Sequence, residues 1–130
     1  MAFLLKFHGE MRWLVVLVGA IAAIRFAAGW LRGADFKKLD RILLLVFTIL
    51  LDLNLLMGLT LLFALPGGWV PFRLEHATTM LLALVAVHLS AIWRDSDDSA
   101  KKFRNNLIVV LAALALIAVG VIRLRGGWIF

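Results

Sequence analysis

One stretch of the chain decides the fold: Arg41-Ile-Leu-Leu-Leu-Val-Phe-Thr-Ile-Leu-Leu51. Its apolar side chains are nearly continuous, whereas a membrane β-strand alternates polar and apolar side chains over ~10 residues. Similar apolar runs lie on both sides of it, and a helix of ~20 apolar residues is long enough to cross a bilayer. The sequence therefore predicts an all-α bundle of four transmembrane helices, at about residues 11–31, 42–65, 74–93 and 107–122.

The composition excludes most other classes of protein. Of the 130 residues, 64% are hydrophobic and only 17% are charged, which is too apolar for a soluble domain of this size. Four spans use the whole chain, so we predict one integral membrane domain over residues 1–130. The absence of cysteine excludes thiolate metal sites and covalent haem attachment. The net charge of +6 is spread over the ends of the apolar runs, so nucleic acid is not an expected partner.

The distribution of basic residues predicts an orientation. Lys and Arg are more frequent in the first and third connections than at the opposite ends of the spans, so the positive-inside tendency places both termini and the Pro66-Gly67-Gly68 turn on the outer side. Tryptophan favours the boundary between membrane and water. The tryptophans fit this arrangement: Trp13, Trp69 and Trp128 fall at the predicted outer boundary, and Trp30 and Trp93 at the inner one.

Two histidines fall at the outer end of the predicted bundle. His8 precedes the first span and His76 lies near the start of the third, and a start of the first helix near Phe3 brings the two to one depth. Two histidines on different helices at one depth can bind the iron of haem b from opposite faces. Arg12 and Arg73, at the water boundary, can pair with its propionates. We therefore predict one haem b per chain. The alternative is that both histidines are hydrogen-bonded boundary residues.

A second polar set is predicted nearer the inner side. Arg25 and Asp52 are expected to form a buried ion pair, because each charge alone is costly in hydrocarbon. His88 and Asn54 can join them in a proton-relaying or quinone-binding pocket, or the pair can serve only to fix the helix register. His88 lies ~18 Å along the helix from His76, so these two cannot share one iron.

The fourth span has no polar side chain between residues 107 and 122 and is not expected to carry chemistry. Small residues allow helix backbones to approach each other closely in a membrane. We therefore predict that this span packs against a second copy, in a homodimer, or against a subunit of a larger redox complex. The small residues concerned are Ala112, Ala115, Ala118 and Gly120.

Three motifs carry a resemblance: His8-Gly9-Glu10-Met11-Arg12-Trp13, then Asp52-x-Asn54-x-x-x-Gly58, then Arg73-x-Glu75-His76-x-x-x-Met80 followed by His88. Together they are similar to a group of small, largely uncharacterised bacterial membrane proteins with four helices. The layout also resembles the four-helix b-type cytochromes of bacterial cytoplasmic membranes, which hold haem through histidines and exchange electrons with quinones.

The resemblance implies a haem b electron-transfer protein of the bacterial cytoplasmic membrane, either exchanging electrons with quinone or anchoring a quinone-linked oxidoreductase. The second hypothesis is a cofactor-free structural or assembly subunit of a membrane complex. The two differ in one simple property, because a haem protein is coloured and a cofactor-free subunit is not.

Overall fold

The computed structural model describes residues 1–125, which form four α-helices and no strand. These are α1 (Ala2–Arg32), α2 (Lys38–Ala64), α3 (Pro71–His88) and α4 (Ser99–Arg125), and a 3₁₀ helix (Leu89–Trp93) continues α3. All four are long and apolar enough to cross a membrane. The predicted all-helical class is therefore confirmed, whereas the prediction for Trp128 lies outside the described residues.

The first helix begins at Ala2 rather than near residue 11. Phe3 and Phe7 lie one turn apart and stack with ring centroids 5.9 Å apart, which supports the added turns. The helix ends where Gly33 adopts a left-handed conformation, with φ 64°. The backbone N–H of Ala34 then donates to the carbonyl of Gly29. The early start places His8 within the second turn of α1.

Short connections join the helices. Gly67 and Gly68 turn the chain between α2 and α3 with φ of 97° and 70°, which glycine adopts readily. Pro71 occupies the first turn of α3, as its missing N–H predicts. We call the end of the bundle with residues 66–68 and the start of α1 the turn end. The opposite end, with residues 33–37 and 94–98, is the basic end.

Helix α4 packs against both α3 and α1, and α2 packs against α1, whereas α2 and α3 touch more sparsely. At the basic end, Phe26, Phe36 and Phe103 form an aromatic cluster with ring centroids 5.0 to 6.3 Å apart. A side chain at Gly29 would collide with Phe103. The sparse contact between α2 and α3 leaves a seam on the surface of the bundle.

The position of α4 corrects one expectation. Gly120 is buried against Thr79 and Met80 of α3, so it does not belong to an outer face. Of the small residues predicted to meet a partner, Ala112 and Ala115 are exposed and Ala118 is half-buried. The aliphatic composition of α4 predicts an apolar helix but does not indicate which of its small residues face the other helices and which face outward.

Candidate cofactor site

A cavity of about 310 Å³ lies inside the bundle toward the turn end, and all four helices line it. This volume is at the lower end of the ~300–1,000 Å³ range of ligand pockets. Most of the wall is apolar, including Val15, Leu51, Met80, Ile117 and Val121. The polar side chains that reach it are His8, Arg12, Asn54, Arg73 and His76.

The rings of the two histidines lie close together beside this space. The ring centroids of His8 and His76 are 6.3 Å apart, and the ring planes are almost perpendicular, at 89°. Two imidazoles on opposite sides of one metal ion, each with a metal–nitrogen bond of ~2.0–2.1 Å, have centroids about 6.4 Å apart. The separation of the two rings therefore suits a metal held between them.

A backbone carbonyl fixes the ring of His76. Its Nδ1 lies 3.1 Å from the carbonyl oxygen of Gly120, to which the N–H form of this nitrogen donates. In that tautomer the lone pair is on Nε2, the nitrogen that can coordinate a metal. A Cβ at Gly120 would collide with Thr79 and Met80, so glycine allows the close approach of α4 to α3. This contact cannot be predicted from a sequence, because every residue carries a carbonyl.

The ring of His8 lies against Gly58 of α2. A Cβ at Gly58 would be 2.9 Å from Cε1 of His8, closer than two carbon atoms normally approach. Glycine therefore makes room for the imidazole. The Nδ1 atom of His8 and the Oδ1 atom of Asn54 are both buried without a hydrogen bond of standard length and angle, and the two side chains are close neighbours.

Both predicted arginines line the cavity. The Arg12 side chain is buried, and its guanidinium lies 5.2 Å from the ring centroid of Trp13. Nη1 of Arg73 donates to the carbonyl oxygens of Pro66 and Gly68, at 2.9 and 3.1 Å, and so holds the turn between α2 and α3. A guanidinium has five N–H donors, so Arg73 can hold the turn and also face an anion.

The second polar set divides into separate places. The predicted Arg25–Asp52 pair is wrong, because Nε of Arg25 donates to Oδ1 of Asp40 at 2.6 Å. Arg25 lies near the basic end and Asp40 is in the first turn of α2, whereas Asp52 is ~18 Å farther along that helix. Asn54 lies at the cavity with the histidines rather than with Asp52.

Asp52 instead meets His88. Oδ1 of Asp52 is 3.0 Å from Nε2 of His88, across the seam between α2 and α3. The two side chains remain 41% and 53% exposed, so this acid–base pair opens to the surface of the bundle. Side chains lean toward the N-terminus of their own helix, so these two, on antiparallel helices, lean toward each other.

The chain matches no family model, no curated protein and no solved structure. The resemblance to b-type cytochromes therefore stays a prediction, and the case for a function depends on the geometry of the site.

Proposed function

We propose that the protein is a haem b electron carrier of the bacterial cytoplasmic membrane. One observation carries the proposal: the rings of His8 and His76 lie with centroids 6.3 Å apart beside a cavity in an apolar bundle. The hydrogen bond between His76 and Gly120 supports it, because a metal-ligating histidine usually donates its other ring N–H to an acceptor.

The residues at the site have distinct roles in this proposal. His8 and His76 would hold the haem iron, and Arg12 and Arg73 would balance the charge of the two propionates. When bound, haem supplies reversible one-electron transfer. The largely apolar wall would lower the local dielectric constant around the group and so tune its reduction potential.

Absorption spectra of the purified protein, oxidised and dithionite-reduced, test this function. We expect one low-spin haem b per chain, and we expect His76→Ala to abolish the low-spin spectrum because an axial ligand is lost. The matched control is His88→Ala, which removes a histidine from the same helix and should leave the spectrum unchanged. A wild-type protein that stays colourless after reconstitution with haem would favour the cofactor-free structural subunit instead.

A quinone headgroup at the Asp52–His88 pair is a second candidate. The observation behind it is that this pair is exposed on the surface of a bundle whose helices are long and apolar enough to cross a membrane. Oxidation of a quinol there would release two protons, which Asp52 and His88 would relay to the solvent, and two electrons, for which the single haem of each chain in a homodimer would supply one acceptor. We expect Asp52→Asn to slow haem reduction by a soluble quinol without changing the dithionite-reduced spectrum.

The control for this step is Glu75→Gln, because Glu75 also forms an exposed interhelical ion pair, at 2.9 Å from Arg123. Equal rates in the Asp52→Asn and Glu75→Gln proteins would place the quinone elsewhere.

The surface of α4 suggests a partner as well, since Ala112 and Ala115 are exposed. We propose a homodimer along this face, and leucine at both positions should convert it to a monomer in a mass measurement in detergent.

A further inference from the structure

We infer that Asn54 is a positioning residue for His8: its side-chain oxygen accepts a hydrogen bond from Nδ1–H of the imidazole and so directs Nε2 toward the iron. This inference rests on the proposed haem site. It assigns a role to a residue that sequence analysis had grouped with a different, inner pocket.

The first argument concerns two buried atoms. His8 and Asn54 line the same cavity, and Nδ1 of the first and Oδ1 of the second are buried without a hydrogen bond of standard length and angle, although the Asn54 side chain lies close enough to interact with the imidazole. Nδ1 of His8 is a donor when it carries the ring hydrogen, and Oδ1 of Asn54 is an acceptor. Buried polar atoms are nearly always paired in folded proteins, so a donor and an acceptor on adjoining helices are natural partners for each other.

The second argument concerns the orientation of the ring. A Cβ at Gly58 would lie 2.9 Å from Cε1 of His8, and 3.5 and 3.7 Å from Nε2 and Nδ1. The Cε1 edge of the ring therefore faces α2, and the two nitrogens lie to either side of it. When Nδ1 turns toward Asn54, Nε2 points away from that residue. Asn54 lies one turn before Gly58 on the same face of α2.

The third argument is the parallel with His76. There the carbonyl of Gly120 holds Nδ1 and leaves the lone pair on Nε2. A ligand with its Nδ1–H bonded to an acceptor is more basic, and this stabilises ferric over ferrous iron. With Asn54 in the same role, both axial ligands have the same tautomer, one set by a backbone oxygen and the other by a side chain.

Two substitutions with opposite expected effects test the role of Asn54. Asn54→Leu keeps the size but removes the acceptor, so we expect haem retention to fall ~10–100-fold and the reduction potential to rise. Asn54→Asp supplies a stronger acceptor, so the potential should fall below that of the wild type. The control is Thr60→Val on α2, which removes an exposed hydroxyl bonded to Leu56 and should change neither quantity.

Shifts of the potential in opposite directions support the hydrogen bond, since a residue that only fills space would not produce them. If wild-type protein binds haem and both Asn54 variants keep its potential and haem affinity, the inference fails while the proposed function stands.

A second measurement applies to the haem-free protein and does not depend on loading. Nitrogen NMR of His8 should show the Nδ1–H tautomer in the wild type and loss of that preference in Asn54→Leu. Identical tautomers in the two proteins would overturn the inference. If the wild-type protein binds no haem but its His8 tautomer differs from that of Asn54→Leu, the contact between Asn54 and His8 stands and the haem site is refuted.

Discussion

At the scale of single residues, Asp40 is a buried carboxylate that joins α1 to the start of α2 at the basic end. It is 1% exposed and accepts hydrogen bonds from Nε of Arg25 and from the backbone N–H of Lys37, at 2.6 and 2.9 Å. The second of these bonds caps the start of α2. We expect Asp40→Ala to destabilise the protein, with about 1 kcal/mol from the lost cap alone, measured by thermal unfolding in detergent.

A double-mutant cycle separates the partners of Arg25. Arg25→Met combined with Asp40→Asn should be less harmful than the sum of the single changes, because the two side chains interact directly. Arg25→Met combined with Asp52→Asn should be additive, since these residues do not meet. Asp35→Ala is the control, as Asp35 is an exposed acid at the same end. Coupling between Arg25 and Asp52 would contradict the structure.

Gly58 provides a second prediction at this scale. Alanine there would gain about 1 kcal/mol in helix propensity, but its methyl group would displace the ring of His8. We therefore expect Gly58→Ala to reduce haem retention while the helical content measured by circular dichroism stays constant. In Gly19→Ala the new methyl group meets Leu114 and Phe47 in the core instead. This control should lower thermal stability and leave the haem spectrum unchanged.

Several residues of the site could be found from depth along the chain alone. Depth along the chain assigns His8 and His76 to one layer when α1 begins near Phe3, and their ring centroids lie 6.3 Å apart in the structure. The Gly120 carbonyl and Asp40 were missed for different reasons. A backbone acceptor has no signature in sequence, and the assignment of Arg25 to Asp52 lacked the angular position of each side chain on its helix.

At the scale of elements, a side-chain hydrogen bond joins α4 to the 3₁₀ helix that follows α3. Nε1 of Trp93 donates to Oδ1 of Asn106 at 2.7 Å, and Asn106 is only 3% exposed. We expect Asn106→Leu to leave this indole N–H without its acceptor and to cost about 1–3 kcal/mol of stability. Thermal unfolding followed by tryptophan fluorescence measures the loss.

The neighbouring substitution Asn105→Leu is the matched control, because Asn105 is half-buried and bonds only to the exposed Arg104 in the described structure. Its effect should stay within about 0.5 kcal/mol. Equal effects of the two substitutions would mean that the Trp93 bond contributes nothing to the packing of α3 on α4.

The ends of the helices were predicted less well than their number. Hydropathy marks the apolar segment, whereas a helix continues as long as its backbone finds hydrogen-bond partners. Thus α1 includes Lys6 and Glu10, and α4 begins at Ser99, well before the apolar run. Proline predicts the start of a helix more exactly than hydropathy does, because its missing N–H favours the first turn, where Pro71 lies in α3.

At the scale of the whole molecule, many large apolar side chains of the described helices are exposed rather than buried in a core. Phe3, Leu31 and Ile92 are more than three quarters exposed. Such a surface agrees with the proposed bilayer location, since lipid tails cover it at no cost in free energy.

The orientation of the bundle in the membrane is predicted from charge, because the packing of the helices does not indicate which end faces outward. The basic end carries Arg32, Lys37, Lys38, Arg41, Arg94, Lys101, Lys102 and Arg104.

Single cysteines test that orientation, because the chain contains none of its own. Pro66 and Asp97 are both exposed, in connections at opposite ends of the bundle. With the turn end outside, a membrane-impermeant maleimide should label Pro66→Cys in intact cells that lack an outer membrane. Asp97→Cys should react only after the cells are permeabilised. Labelling of both variants in denatured protein shows that each thiol is reactive. The reverse pattern would place the basic end outside, against the positive-inside tendency, and would move the proposed haem site to the cytoplasmic side of the membrane.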